Sequence, residues 1–339
     1  MIMARDLVNN LRHLLDKLDE ASMKDLFLVD GETNDGLMDL LGALKPETQK
    51  LMMSFCGMDG DALAQLAHGV LDLVPVISHL LLWPEYDVVD KVALGKKVTT
   101  RKASLEDMKL SLLSGMIFVK RTGKSRTYVM PREVRSLYME KISDELEGLQ
   151  RLTDIYDMCS MAATRLYGVI KLPAFMSLVN GYLQKELGFV WENAEDRRMV
   201  ESNFINACKI TGPCFVKYDS LLYTDISRAE YDSILQARKG KRMEKLDFQS
   251  FTSFAFPDYF EDAEAVEVLE SALSDAGLED IHELAMIFGD ELPRVGMSID
   301  DAMEFLAIKD EVKAKAVKKA LAAFDSTLRH WDDYGALRP

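Results

Sequence analysis

The stretch Gly115-Met116-Ile117-Phe118-Val119-Lys120-Arg121-Thr122-Gly123-Lys124-Ser125-Arg126-Thr127-Tyr128-Val129-Met130-Pro131 decides how this chain is read. Two runs rich in β-branched and aromatic residues flank a short polar tip, Thr122-Gly123-Lys124-Ser125. That pattern predicts a β-hairpin. Before it, residues 104–113 form a helical run in which Ser104 offers an N-cap and Asp107 follows three residues on. After it, a helix is expected from Arg132.

The order returns further along. Gly212-Pro213-Cys214-Phe215-Val216-Lys217 echoes Gly115 to Lys120, and Leu221-Leu222-Tyr223 echoes Arg126-Thr127-Tyr128. The second hairpin follows a helical run over 194–209 and leads into another from about Ser227. Upstream, Tyr167-Gly168 ends a helix, Val169-Ile170-Lys171 reads as a short strand, and Pro173 starts a helix through Phe175, Leu178, Val179 and Leu183. Repetition of helix, hairpin and helix implies two related modules.

Charge separates the two copies. The chain of 339 residues carries a net −15. Residues 91–135 hold twelve basic and three acidic side chains, so this window is +9 and the remainder is −24. Residues 191–245 hold ten basic and nine acidic side chains and are near neutral. A strongly acidic total argues against indiscriminate coating of nucleic acid, whereas a basic window inside it marks one place where a polyanion would be attracted. The candidate phosphate contacts are Lys96, Lys97, Arg101 and Lys102 on a loop, with Lys120, Arg121, Lys124 and Arg126 on the hairpin. The helix between them presents a mixed outward set, with Glu106, Asp107, Lys109 and Ser111 expected at its surface. Phosphate contact is favoured over base reading.

Other features carry weaker readings. Residues 3–20 and 61–82 are read as helices, the latter kinked near Pro75. Residues 133–165 read as one long helix, whose period near 3.5 suits a linker, a dimerisation helix or a helix packed on its own two modules. The turn Asp30 to Gly36 lacks the glycine and glutamate of a calcium loop at positions 35 and 41. The basic run 236–242 ends a helix, where lysine and arginine suit the macrodipole, and a phosphate contact is its minor reading. The aromatic stretch 248–260 is read as loop with its rings packed inward. Four scattered cysteines and five scattered histidines match no disulfide framework or zinc spacing, and no GxSxG, GxGxxG or complete P-loop occurs. No catalytic residue, metal or cofactor is assigned. No signal peptide or membrane span is read, so a cytoplasmic location is expected.

Residues 115–131 and 169–223 resemble tandem winged-helix proteins. The chain is also similar to uncharacterised bacterial proteins that pair such modules with a SEC-C-type tail. The zinc-binding cysteines of that tail are absent, and the ending Trp331 to Pro339 shares only its Trp, Gly and Pro spacing. The resemblance implies a mainly α fold with small β-hairpins (α+β). Two winged-helix-like modules would lie at 61–140 (basic) and 166–245. An N-terminal helical region would occupy 1–60, a linking helix 141–165 and a C-terminal helical region 246–339. With the basic window, the expected function is that of a non-enzymatic, DNA-associated and regulatory protein that contacts double-stranded DNA through a basic wing. The alternative is a protein-interaction or scaffold protein of the acidic tandem winged-helix type, with a protein partner or a homodimer.

Overall fold

A computed structural model describes residues 14, 15, 18, 23, 25–58, 60, 62–82, 84–141, 143–210, 212, 214–223, 226–294 and 298–337, with 141 and 143–150 by backbone alone. The expected helix over 3–20 falls almost wholly outside these residues. The chain is mainly helical, 59% helix and 8% strand, and the described residues form two three-stranded sheets. No described helix is long and apolar enough to cross a membrane. It divides into two compact units, 1–157 with 191–212, and 158–190 with 213–339.

The first unit opens with β1 (Leu28–Asp30) and the helices α1 (Leu37–Ala43), α2 (Pro46–Phe55), α3 (Leu63–Ser78) and α4 (Glu85–Ala93). Pro46 sits at the first helical position of α2, where its missing N–H costs nothing, and α3 runs on through Pro75. A single turn of 3-10 helix (Glu106–Met108) leads into α5 (Lys109–Leu113). The hairpin follows as β2 (Phe118–Thr122) and β3 (Ser125–Val129), then α6 (Arg132–Lys141) and α7 (Ser143–Tyr167). The helix read from 133 is helical over 132–141 and over 143–167, and residue 142 lies outside the described residues. α8 (Leu172–Lys185) belongs to the second unit, and α9 (Ala194–Ile210) to the first.

The hairpin lies where expected. Thr122 pairs with Ser125, leaving the two-residue loop Gly123-Lys124. Only Gly123 has positive φ, at 61°, which is the type II′ pattern. β1 adds to the other side of β2 in parallel, with Leu28 opposite Val119 and Asp30 opposite Arg121. Phe27, Val29, Phe118, Val119, Tyr128 and Met130 enter one core with the inward faces of α1 to α6. Ala207 and Ile210 at the end of α9 join that same core. The third helix expected of the second module therefore packs in the first unit.

In the second unit, β4 (Val169–Lys171), β5 (Phe215–Lys217) and β6 (Ser220–Leu222) form an antiparallel sheet in the order β4-β6-β5. α10 (Arg228–Ala237) and α11 (Phe248–Ser253) follow, so part of the aromatic stretch is helical and Phe251 is fully buried. The chain closes with α12 (Ala263–Ala276), α13 (Ile281–Glu291), α14 (Ile299–Leu306) and α15 (Glu311–Asp325) around their own core. Asp262, Ser298 and Asp310 cap three of these helices by accepting hydrogen bonds from backbone N–H groups.

Candidate nucleic-acid interface

The eight basic residues lie on one sheet and the loop beside it. α4 ends in a Schellman-type turn: Gly95 has φ 78°, and the Lys96 N–H donates to the Lys91 carbonyl at 2.8 Å. That turn fixes where the loop leaves. Beyond it, Val98, Thr99 and Thr100 run alongside β3. The Tyr128 N–H donates to the Val98 carbonyl at 3.0 Å, the Thr100 N–H donates to the Arg126 carbonyl at 3.1 Å, and Thr99 bridges Thr127 in the antiparallel sense. Val98 and Ala103 point into the core, and the Tyr128 hydroxyl donates to the carbonyls of Ala103 and Ser104. The loop is thus an added edge of the sheet, held by backbone bonds and by apolar anchors at both ends.

This geometry leaves Lys96, Lys97, Arg101 and Lys102 exposed on the edge, with exposed Lys124 at the neighbouring hairpin tip. No ion pair involves these five among the described residues. The other edge of the sheet differs. The Lys120 ammonium sits 2.7 Å from Asp35 Oδ1 and donates to the Thr33 carbonyl at 2.7 Å, with its side chain only 18% exposed. It ties β2 to the turn after β1, and its charge is already used. Arg121 lies 3.4 Å from Asp30, and Arg126 lies 3.9 Å from Asp25. Both pairs are loose and their carboxylates are well solvated, so each contributes about 0–1 kcal/mol. They still lower the local positive potential. The acidic residues that do this all come from the segment around β1, a strand that three residues, Leu28-Val29-Asp30, do not announce.

Of the residues expected on the outward face of the helix, Glu106 and Asp107 are exposed and Lys109 is partly so, but the helix itself is largely enclosed. α5 is five residues long, and Leu110, Ser111, Leu112 and Leu113 are all buried. Ser111 is not at the surface. Its N–H and its hydroxyl both donate to Glu85 Oε1 at 2.6 Å. Burial pushes the Glu85 carboxyl up to about 7 against these bonds. A helix so short and so enclosed offers no face to a major groove.

In the basic run 236–242, Arg238 and Lys241 are engaged within the fold, while Lys239 and Arg242 are exposed. Arg238 is buried, and its guanidinium donates to the carbonyls of Tyr167, Val169 (2.7 Å) and Trp331 while stacking 4.5 Å from the Tyr334 ring. Its charge is committed to carbonyls at the start of β4 and in the C-terminal turn. Lys241 pairs with Asp333 at 2.7 Å. Among the described residues, no group of three or more His, Cys, Asp or Glu is placed to hold a metal ion. Burial pushes the Cys56 and Cys159 thiols up to about 11 and about 12, so neither is a thiolate nucleophile near neutral pH.

The signal that could have revealed the added edge was present. Three β-branched residues in a row, Val98-Thr99-Thr100, are a strand-like run within a stretch otherwise read as a basic loop. Comparison with protein-family models, with curated proteins and with solved structures returns no match to this chain.

Proposed function

We propose that the protein is a non-enzymatic, DNA-associated protein that contacts the phosphate backbone of duplex DNA through the loop edge of its first sheet. The observation that carries this reading is the segregation of charge across that sheet. Lys96, Lys97, Arg101, Lys102 and Lys124 are exposed and without acidic partners among the described residues, whereas Lys120 is committed to Asp35 and Thr33. An ordered edge loses little entropy on binding, and lysine and arginine there attract phosphates without reading bases. Arg121, half exposed and only loosely paired with Asp30, adds to the contact as a secondary member, and Arg126 beside it contributes its charge to the same potential.

The winged-helix likeness supports the reading in part. The strand before the hairpin pairs with the hairpin's second strand in both sheets, through Thr99 in one and through β4 in the other. The buried α5 removes major-groove reading from the proposal, so binding is sequence-independent. The test is a fluorescence-anisotropy titration of the full chain against a short duplex over a range of salt concentrations. The logarithm of the affinity is expected to fall with that of salt with a slope of roughly −4, about −0.9 for each neutralised phosphate. No binding at low salt, or binding indifferent to salt, overturns the proposal.

A second reading is an interaction or scaffold protein of the acidic tandem winged-helix type. It is favoured by the −24 carried outside 91–135 and by the exposed Val268, Phe305 and Val312 of the C-terminal helices.

A further inference from the structure

α12 and α15 pack side by side, and their directions are antiparallel. The Phe260 ring, just before α12, meets the Phe324 ring at the end of α15 with centroids 5.5 Å apart. At the other end, Asp275 and Ala276 line a groove together with Val312 and Lys313. The inward faces of both helices, with Val266, Leu269, Leu273, Val317, Leu321 and Phe324, complete a core of their own. Their outward faces are less ordinary. Between the two helices runs an open apolar groove of about 320 Å³, floored by Ala272 and Ala316 and walled by Val268 and Val312. Val268 is 50% exposed and Val312 is 80% exposed. Two valines flanking one groove make a continuous apolar strip, unlike single apolar residues scattered on a surface.

The charges beside the strip are sorted by helix. α12 carries exposed Glu264, Glu267 and Asp275, and α15 carries exposed Lys313, Lys315 and Lys319. None of these six has an ion-pair partner among the described residues. Lys318 does, on Asp300 at 2.5 Å, and so does Glu270, on His282 at 2.8 Å. Glu311 is the one exposed acid on α15 near the groove, in its first turn where the macrodipole favours it. An apolar strip with an acidic wall on one side and a basic wall on the other is complementary to itself.

We infer that this face is a homodimer interface in which α12 of one copy lies over α15 of the other. The symmetry axis is fixed by the charges. A twofold axis parallel to the two helices sets α12 over the partner's α15. A twofold axis across them would set α12 over its own copy, acid on acid. The parallel axis keeps each residue at its own level along the pair. Asp275 of one copy then meets Lys313 of the other, Glu267 and Glu264 lie toward Lys319, and the valines close over the two grooves. An isologous contact of this kind uses every pair twice. The face is small: helices of this length span about 20 Å, which puts the contact at the low end of specific interfaces and the affinity in the micromolar range. This inference is independent of the nucleic-acid reading and concerns the other compact unit.

The experiment is sedimentation velocity on the full chain from about 1 to about 200 µM, the range in which a contact of this size would associate. The wild type is expected to pass from monomer to dimer. V312D should raise the dissociation constant at least about tenfold, because it sets a carboxylate in the apolar strip. At 80% exposure the substitution leaves the core of the bundle untouched, and circular dichroism verifies the fold. D275K and K313E should each weaken self-association, and an equimolar mixture of the two variants should restore the dimer. In the mixture the lysine introduced in one chain meets the glutamate introduced in the other, while the unchanged Asp275 and Lys313 meet across the second half of the interface. Restoration within a mixture is something no intramolecular effect can produce. A strictly monomeric wild type overturns the inference. So does a dimer indifferent to V312D, or a charge pair that is not rescued by mixing.

Discussion

Glu85 shows how much one buried carboxyl can set. It stands in the first turn of α4 and accepts from Ser111 twice, which stops α5 from leaving an unsatisfied N–H in the core. Its folded form titrates near about 7, because desolvation outweighs those hydrogen bonds and the Asp107 charge adds to it. The unfolded carboxyl titrates at its ordinary 4.5, so between the two values the folded state holds the extra proton. Stability is then fullest below 4.5 and declines as pH rises through about 7, by up to about 3 kcal/mol for this group alone. Glu85→Gln should flatten the decline when urea unfolding is followed at pH 5, 6, 7 and 8. A variant that loses stability with pH as steeply as the wild type contradicts this. Gly168 illustrates the opposite kind of constraint. Its φ is 66°, and a Cβ there would lie 2.1 Å from the Trp331 ring. The helix end at Gly168 was legible in sequence, since glycine after a periodic run is a stop signal. The Trp331 contact was not, because 163 residues separate the two. Arg238 belongs with it: a basic run after a helix suggests dipole compensation, and only the folded chain shows three carbonyls waiting for that guanidinium.

At the scale of elements, the two hairpins share a layout and differ in their turns. β5 and β6 pair Lys217 with Ser220, leaving Tyr218-Asp219 as the loop. Both loop residues have positive φ, 52° and 56°, the type I′ pattern that favours asparagine and glycine. Tyr218 is held there by its ring contact with Tyr231 at 4.8 Å and by the Arg228 guanidinium 4.9 Å over its face. Asp219 has no such compensation in its ring-free side chain, so Asp219→Gly should stabilise the protein by about 0.5–1 kcal/mol. Thermal unfolding measures this, and a lowered midpoint would count against the turn assignment. The hairpins and β4 were readable because each carries its own local signal: β-branched runs, a glycine or a tight two-residue tip, flanking helix caps. β1 was not, because three residues give no period and its partner β2 lies some ninety positions away. From sequence, α5 reads as a longer helix with an outward face. Periodicity gives the stripe of apolar residues but not whether the opposite side is covered, and here Glu85 covers it.

Over the whole molecule, the charge balance was visible in sequence and its cancellation was not. A count of twelve basic residues in 91–135 treats all of them alike, yet the acids that commit Lys120 and lower the potential around Arg121 and Arg126 arrive from residues 25–35, beside the parallel pairing of β1 with β2. What survives is a narrower positive edge, formed where residues 96–102 run beside β3. The two-unit division likewise crosses the sequence ranges, since α9 packs with the first unit and the hairpin after it with the second. The most direct test separates the two edges of the first sheet. Duplex affinity is measured at low salt for a chain with Lys96, Lys97, Arg101 and Lys102 changed to alanine, and for a chain with Lys120 and Arg121 changed to alanine. The loop variant should lose most of its affinity and reduce the salt slope by about 3 to 4, whereas the strand variant, which gives up only the secondary contact of Arg121, should reduce the slope by no more than about 1. Equal losses in the two variants, or a loop variant that binds as the wild type does, would contradict the assignment of phosphate contact to that edge.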